Sequence, residues 1–346
     1  MAGYHINKEG KVVKCRAEHG KCPYGNIASI TTAEEAKAFN DERQEVLDKA
    51  AEVYWRSNGG NGEYTTFEAL ERAKFVEKAT KYALKANDTS NQLTDKTGKY
   101  NIDRTKKHKV ILNQLMNDVK QKHIPKEKKL LMSAGLPGAG KSTVLEKAKD
   151  VLGNVMEKYA IVNADDFKEI LARENMIPRL KGLGSMECST FVHGECSYLA
   201  NVYAAELRKE GYNILYDCTA KDATKISKKL NDYIQDGYKA EDMQVVYVDV
   251  PIDVSLERTK SRYVRGLNGP NHDGRYLPEK VIMESKADKE SKFTSKNAET
   301  VKKLFEGDEF NIKEPIVFNN TTMPPTRIAA KEFFATGTLK EFSSAT

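Results

Sequence analysis

The sequence predicts an α/β protein with a parallel sheet, preceded by a mostly helical N-terminal region. Two observations favour this fold class. Beyond about residue 126, short apolar runs typical of strands alternate with amphipathic patterns typical of helices. Before that point, three segments carry apolar residues at helical spacing. We therefore divide the chain into a helical region with a Cys-containing lead-in, residues 1–125, and an α/β domain, residues 126–346.

The composition is typical of a globular protein and excludes several classes. The chain has 346 residues, of which 31% are charged and 39% hydrophobic, and this length suits two domains. Its net charge of +6 is compatible with anionic substrates but does not indicate nucleic acid. No apolar run approaches the ~20 residues that span a bilayer, so we expect no membrane partner. The N-terminus lacks the apolar core of a signal peptide, and the five cysteines are scattered, which together favour a reducing cytoplasm.

The lead-in contains residue types that bind zinc. Cys15, His19 and Cys22 lie close together, with His5 further away. Their spacing lacks the C-x₂-C pair of standard zinc modules, so unligated thiols in a small folded segment are the alternative.

Capping signals and apolar stripes predict the N-terminal helices. Thr32-Ala-Glu-Glu35 and Thr65-Thr-Phe-Glu68 are capping boxes, each followed by apolar residues on one helical face. A third stripe occupies residues 111–119 and follows a basic segment, residues 104–109. Since no aromatic residues interleave with these charges, a solvated helix face is favoured over a phosphate contact.

A glycine-rich loop joins the first strand of the α/β domain to a helix. Residues 135–143 read G-x-x-x-x-G-K-S-T, after the apolar run 129–134 and before a helical pattern from Thr143 to about Leu152. In this context, backbone N–H groups cradle phosphate oxygens at the start of the helix. Lys141 would reach the β- and γ-phosphates, and the Ser142 hydroxyl would hold Mg²⁺.

The loop therefore predicts the three-layer fold of P-loop NTPases and kinases, with ATP or GTP and Mg²⁺ as cofactors. The predicted nucleotide-binding residues are Gly135, Pro137, Gly138, Ala139, Gly140, Lys141, Ser142 and Thr143.

Two carboxylates follow the next predicted strand. Residues 159–162 form a short apolar run that leads into Asp165 and Asp166. Ligands of open α/β sheets bind beyond the carboxyl ends of strands, so Asp165 is placed to accept a proton from an attacking hydroxyl. Capping of the following helix is the alternative role. We assign Asp166 to substrate binding.

A further acid ends the strand at residues 212–216. Asp217 is in the usual place for the residue that supports Mg²⁺, directly or through water. Thr219, two residues later, is placed to orient the substrate or the waters of the ion.

A histidine and an acid lie near the start of a long predicted helix, from about Ser189 to Arg208. His193 and Glu195 form an H-x-E pair, which zinc deaminases also use. The P-C-x-x-C partner of that motif is absent, so the residues alone predict only polar surface or core positions.

Four arginines surround a glycine-rich segment, residues 266–274. Such a flexible basic segment suits a lid, because guanidinium groups match the charge that develops on a transferring phosphoryl group. Further on, residues 314–320 resemble a closing strand whose trailing loop would cradle adenine. The arginines are Arg258, Arg262, Arg265 and Arg275.

Five motifs occur in a fixed order between Leu130 and Asn320. They are G-L-P-G-A-G-K-S-T at 135–143, N-A-D-D-F-K at 163–168, F-V-H-G-E-C-S-Y-L-A at 191–200, G-Y-N-I-L-Y-D-C-T at 211–219, and the arginines of S-R-Y and G-R-Y. In this order they resemble the zeta-toxin kinase domain, a P-loop kinase family that is also similar to phage-type 5′-hydroxyl polynucleotide kinases.

This resemblance implies specific roles. Lys141 would bind the transferring phosphate, and Asp165 would be the general base. Arg262 and Arg275 match the arginine pair of the family and would be catalytic. The matched substrate contacts are His193, Glu195 and Thr219.

The predicted function is transfer of the γ-phosphoryl group of ATP to a hydroxyl of a nucleotide sugar or another small metabolite, in a protein of toxin type. Founding members of the resembled family phosphorylate UDP-N-acetylglucosamine. A 5′-hydroxyl polynucleotide or nucleotide kinase, with nucleic acid as its partner, is the alternative, and a nucleotide-binding structural module of a phage-associated protein is a third reading.

The resemblance also implies a partner. Zeta-type toxins are restrained by small helical antitoxins, and residues 31–123 have a similar size and helical character. We therefore expect either an antitoxin-like partner or inhibition in cis by residues 31–123, with a docking or targeting module as the alternative.

Overall fold

The computed structural model describes residues 3–7, 10–15, 30–58, 63–307, 310–322 and 324–338. They divide into two compact units. The first unit contains Met1–Lys107, Asp165–Tyr198 and Lys260–Tyr276, and the second contains His108–Ala164, Leu199–Thr259 and Leu277–Thr346. Each unit is therefore built from three separate segments of the chain. The predicted division, in contrast, places one boundary at residue 125.

Helices account for most of the regular structure in both units. Two short 3₁₀ helices cover Ser189–Val192 and Ala240–Asp242. None of the described helices is long and apolar enough to cross a membrane. In chain order the α-helices are α1 (Ala33–Asn58), α2 (Thr66–Asn87), α3 (Thr89–Gln92), α4 (Ile102–Gln121), α5 (Lys141–Lys147), α6 (Lys149–Leu152), α7 (Val155–Lys158), α8 (Ala164–Arg173), α9 (His193–Glu210), α10 (Ala223–Gln235), α11 (Ile252–Leu267), α12 (Glu279–Met283), α13 (Lys296–Glu306) and α14 (Ala330–Thr336).

The strands are β1 (Tyr4–Ile6), β2 (Val12–Lys14), β3 (Leu130–Ala134), β4 (Ala160–Val162), β5 (Ile214–Asp217), β6 (Met243–Asp249), β7 (Ile316–Asn319) and β8 (Thr326–Ile328). In the first unit, β1 and β2 form an antiparallel pair. In the second unit, a six-stranded sheet has the order β4-β5-β3-β6-β7-β8. All its neighbours pair in parallel except β7 and β8. This confirms the predicted α/β class with its largely parallel sheet.

The centre of the sheet is formed by β3, whose five residues are all buried. A parallel strand covered on both faces is expected to be continuously apolar, as this one nearly is. Its Leu131 joins Leu215 of β5, Val246 of β6, Phe318 of β7 and Val144 of α5 in one core cluster. The phosphate loop therefore starts from a fully buried strand.

Local sequence signals account for several helix ends. The predicted capping box at Thr65 is confirmed, because its side chain accepts a hydrogen bond from the backbone N–H of Glu68 and the reciprocal bond is present. The helix after the phosphate loop is shorter than predicted. It ends at Lys147, where Ala148 leaves helical geometry with a ψ of 43°, and α6 continues the path to Leu152.

The lead-in is only partly described. Cys15 is buried, whereas His19 and Cys22 lie outside the described residues. Within the described ranges, no group of three His, Cys, Asp or Glu side chains could hold a metal ion. Zinc binding by Cys15, His19 and Cys22 stays a prediction.

Candidate active site

Backbone geometry fixes the shape of the phosphate loop. Gly135 has a φ of 146°, and a Cβ there would lie 2.5 Å from the carbonyl oxygen of Val248. Gly140 has a φ of 82°, and a Cβ there would clash with the side-chain amide of Asn320. Both positions favour glycine for conformation and for space. The loop is thus packed closely against β6 and the segment after β7.

Residues far away in the sequence hold this loop in place. The buried Asn320 amide donates to the carbonyl oxygen of Ala139 at 2.7 Å, and the Ser255 hydroxyl donates to that of Pro137 at 2.6 Å. Arg258 donates to the carbonyl oxygen of Asn320 at 2.7 Å. Arg258, one of the four predicted lid arginines, therefore braces the loop after β7. No local sequence signal marks Asn320 for this role.

Lys141 and Asp217 face each other where β3 and β5 end. The Lys141 Nζ lies 3.8 Å from the Asp217 carboxylate and donates to the carbonyl oxygen of Gly135 at 3.4 Å. The Ser133 hydroxyl also donates to Asp217, its register partner on the neighbouring strand. The ammonium and the carboxylate are both mostly buried. They offer complementary charge for a phosphate and for a hydrated cation.

The second unit also carries oxygen ligands of the type that Mg²⁺ prefers. Ser142 is exposed at the start of α5, and Asp217 supplies a partly accessible carboxylate. Mg²⁺ is usually bound by one or two carboxylates together with substrate phosphates, rather than by a cage of protein ligands. The residues present fit that mode of binding.

Asp165 lies at the centre of a charged cluster in the first unit. It is the third residue after β4 and lies in the first turn of α8. Its carboxylate pairs with Arg275 at 2.6 Å and with Lys168 at 3.2 Å, while its side chain remains 49% exposed. Partial burial alone would raise the pKa of Asp165, but Arg275 and Lys168 together lower it below its ordinary value. The carboxylate is therefore ionised at neutral pH and accessible.

Arg262 and His193 share the electrostatic environment of this cluster. Burial, followed by the charge of Arg275, lowers the pKa of Arg262. Burial, followed by the charge of Lys168, lowers the pKa of His193. The first unit thus gathers an acid with several cationic groups. Lys168 was not among the predicted site residues, although it stands one helical turn after Asp165 in N-A-D-D-F-K.

Glu195 has a different environment from His193. It is fully buried, and its carboxylate accepts hydrogen bonds from Arg104 at 2.6 and 2.8 Å and from the Thr89 hydroxyl at 2.6 Å. Arg104 is itself buried, whereas Lys106, Lys107 and Lys109 are exposed. The expected solvated face therefore holds for the three lysines and is wrong for Arg104. Next to Glu195, a Cβ at Gly194 would clash with the Ser90 side chain. The absence of a side chain at Gly194 allows that close approach.

The predicted site residues thus form two groups. The first unit contains Asp165, Asp166, His193, Glu195, Arg262 and Arg275. The second contains the phosphate loop, Asp217 and Thr219. Asp166 is exposed, as is Thr219, whose carbonyl oxygen accepts from the backbone N–H of Gly135 at 3.4 Å. The roles of Asp166 and Thr219 stay predictions.

The family model of the zeta toxin matches residues 113–314, more than half of the 346 residues. The chain belongs to the zeta-toxin family. Membership of this family agrees with the P-loop kinase fold and supports a kinase activity with nucleotide binding. No curated protein matches the chain.

Several solved structures are similar to this zeta-toxin family member. A crystal structure of AvrRxo1-ORF1 with AvrRxo1-ORF2 and sulphate ions has 19% identity and a TM-score of 0.48, covering 72% of this chain and 70% of that one. A structure of the same complex with ATP has 14% identity and a TM-score of 0.49, covering 78% and 79%. The PezAT toxin–antitoxin system of Streptococcus pneumoniae has 17% identity and a TM-score of 0.46, covering 71% and 90%.

Proposed function

We propose that the protein transfers the γ-phosphoryl group of ATP to a hydroxyl of a nucleotide sugar or another small metabolite. One observation carries this proposal: a strand, a phosphate loop and a helix succeed one another, with the Lys141 ammonium 3.8 Å from the Asp217 carboxylate. The zeta-toxin family match, whose range includes both residues, supports the proposed activity.

In this proposal the phosphate loop and Lys141 bind the triphosphate. Mg²⁺, held by Ser142 with support from Asp217, would neutralise the charge that develops on the phosphoryl oxygens. The Lys141 ammonium supplies a second, fixed positive charge that also neutralises the phosphoryl oxygens. Because such transfer has a loose transition state, most of the acceleration comes from positioning and electrostatics.

Asp165 is the proposed general base for the acceptor hydroxyl. Its ionised carboxylate and its 49% side-chain exposure support this role. The low pKa makes it a weak base, but in a loose transition state the orientation of the hydroxyl matters more than basicity. If Arg275 transfers its donors from Asp165 to a phosphate, the loss of that pairing raises the pKa of Asp165 and strengthens the base.

The cations around Asp165 favour an acceptor that is itself anionic. Lys168, Arg262, Arg265 and Arg275 outnumber the two acids of the cluster, Asp165 and Glu169. A nucleotide sugar carries such charge on its phosphates, and so does an oligonucleotide end. We therefore propose a phosphate-bearing acceptor, with the polynucleotide end as the second candidate. Toxicity and an antitoxin-like partner are part of the same proposal.

The experiment is an acceptor screen with γ-labelled ATP and Mg²⁺. The purified full chain is incubated separately with UDP-N-acetylglucosamine, a mixture of small metabolites and a 5′-hydroxyl oligonucleotide, and the products are identified by mass spectrometry. We expect label in a small phosphate-bearing acceptor. Asp165→Asn should remove the transfer, whereas Asp288→Asn, at an exposed position, should not. Label in the oligonucleotide alone would favour the alternative, and no labelled acceptor would overturn the proposal.

A further inference from the structure

A buried carboxylate joins helix α2 to the segment that carries the two predicted catalytic arginines. Glu187 accepts hydrogen bonds from Arg72 Nε and Nη2, both at 2.6 Å, and from the Tyr263 hydroxyl at 2.7 Å. It also accepts from the backbone N–H of Gly184 at 2.8 Å. The side chains of Arg72 and Glu187 are 2% and 1% exposed. A bidentate pair in such surroundings fixes orientation as well as distance.

Tyr263 passes this constraint to both arginines. It follows Arg262 in α11 and is fully buried. The residue before Arg275 is Gly274, where a Cβ would lie 2.6 Å from the Tyr263 carbonyl oxygen and 2.9 Å from its ring. The end of the glycine-rich loop therefore packs against Tyr263, which lies in the helix before the loop.

A second connection ties the glycine-rich loop to the start of α2. The Asn268 side chain accepts from the backbone N–H of Tyr64 at 2.8 Å and donates to its carbonyl oxygen at 2.9 Å. The Tyr276 hydroxyl donates to Glu77 at 3.2 Å. One apolar cluster fills the space between these bonds: Tyr64, Ala69, Ala73, Tyr263 and Leu267, with Val264 and Tyr276 packed against it.

We propose that helix α2 and the chain just before it position the catalytic arginines. Arg72 acts through Glu187 and Tyr263, and Tyr64 acts through Asn268. Together these contacts hold residues 260–276 in the conformation in which Arg275 pairs with Asp165. Arg72, Glu187, Tyr263 and Asn268 are thus positioning residues for phosphoryl transfer, and the effect on transfer rests on the proposed function. In this arrangement α2 supports the reaction, which is the opposite of inhibition in cis.

The geometry explains why the segment needs such support. It holds Arg262, Arg265 and Arg275, whose like charges repel one another, and it contains Gly266, Gly269 and Gly274, which lower the stiffness of the backbone. A segment of this composition is flexible unless it is attached elsewhere. Buried ion pairs often add little stability relative to apolar side chains, but they do specify geometry. We infer that the pair of Arg72 and Glu187 serves to fix the geometry of this segment.

The test uses mild variants of the full chain. Tyr263→Phe keeps the ring and removes only its bond to Glu187, and Asn268→Ala removes the two bonds to Tyr64 without leaving a buried charge. Tyr238→Phe is the matched control, because it also removes a buried hydroxyl bond, to the Tyr212 carbonyl oxygen, but within the second unit. Arg72→Met is the stronger variant, to be used only if it folds.

Two readouts separate this inference from the proposed function. Hydrogen exchange followed by mass spectrometry should become several-fold faster in peptides that cover 260–276 in both mild variants, with peptides of the phosphate loop unchanged. Transfer from ATP should lose roughly tenfold in kcat with little change in KM for ATP, since the triphosphate site is intact. The control should change neither readout.

Each outcome decides between the two ideas. Unchanged exchange at 260–276 in the folded variants overturns the attachment to α2. Faster exchange with an unchanged kcat overturns positioning. If the wild-type chain transfers no phosphoryl group at all, the proposed function fails, while the exchange result still decides whether α2 holds the segment.

Discussion

The Arg275 guanidinium pairs with the Asp165 carboxylate at 2.6 Å, so the predicted lid arginine and the predicted general base are partners. Both lie in the first unit together with Lys168, which pairs with the other oxygen of Asp165. The protonation of Asp165 therefore depends on how its two cationic neighbours are placed.

Neutralising Lys168 should move the pH dependence of phosphoryl transfer. Lys168 and Arg275 lower the pKa of Asp165, so activity that needs the ionised carboxylate is lost at a lower pH than for an ordinary aspartate. Removing one cation raises that pKa, and the acid limb of kcat/KM in Lys168→Met should move to higher pH. A pH–rate profile measures this, with Lys289→Met, at an exposed position, as the control. An acid limb that stays in place or moves lower would contradict the assignment of Asp165.

Lys141→Ala should remove most of the activity without unfolding the protein. Removing one preorganised donor that faces developing charge typically costs about 10²–10³-fold in rate, and Lys141 is the ammonium of the phosphate loop. We expect a loss of this size in kcat, measured with γ-labelled ATP. Lys149→Ala, at an exposed position of α6, should retain activity. A Lys141→Ala variant with nearly full kcat would show that the loop does not hold the transferring phosphate.

Gly140→Ala should weaken ATP binding more than its backbone strain explains. A Cβ at Gly140 would clash with the Asn320 amide, which itself bonds the carbonyl oxygen of Ala139. Gly98 provides a matched control: its φ of 79° is close to the 82° of Gly140, but nothing lies within 4 Å of an added Cβ. Left-handed strain alone costs roughly 1 kcal/mol in the free energy of unfolding.

Calorimetric titration with ATP and thermal unfolding together measure these two effects. Gly98→Ala should lose roughly 1 kcal/mol of unfolding free energy and keep its affinity for ATP. Gly140→Ala should lose stability and also bind ATP more weakly. Equal effects in the two variants would argue against the contact between Asn320 and the phosphate loop.

Asp249→Asn should stabilise the protein at neutral pH. Burial raises the pKa of Asp249 from 3.8 to about 6, although the Tyr247 and Thr338 hydroxyls donate to it. The folded state then binds a proton more tightly than the unfolded state. The resulting stability is fully present below pH 3.8 and is lost as pH rises through about 6.

The size of this effect follows from the difference between the two pKa values, which corresponds to up to about 3 kcal/mol. We expect the unfolding free energy of Asp249→Asn to exceed that of the wild type above pH 6.5 and to approach it near pH 4. Urea titrations at the two pH values measure the difference. A variant that is less stable at pH 7.5 would show that the charged carboxylate is satisfied in the fold.

Arg104→Met should destabilise the protein strongly, although Arg104 lies in a basic segment where loss of an exposed side chain would cost little. It leaves Glu195 fully buried without its charged partner, and breaking such a pair typically costs about 3–5 kcal/mol. The double variant Arg104→Met/Glu195→Leu should recover part of the loss. Lys126→Ala, which breaks an exposed pair with Glu210, should have little effect on the unfolding midpoint. Equal midpoints for Arg104→Met and Lys126→Ala would contradict the structural role of the buried pair.

The sequence alone determined the features that depend on neighbouring residues. The phosphate loop is one continuous motif between a strand and a helix, so its position and its glycines could be predicted directly. The capping box at Thr65 and Glu68 spans three residues, and the parallel sheet follows from the alternation of strand and helix patterns. Asp165 and Asp217 could be found because Asp165 follows a strand closely and Asp217 ends one.

Only the tertiary structure decided which distant residues meet. Glu195 looked like a substrate contact in its motif, yet its carboxylate is buried against Arg104, 91 positions away. Asn320 meets the phosphate loop across 181 positions, and Asn268 meets Tyr64 across 204. Contacts of this kind leave no periodicity or spacing in one sequence, because folding places the partners together without any repeat between them. Motifs therefore predicted the chemical groups, and long-range packing decided which of them are held by buried partners and which remain accessible.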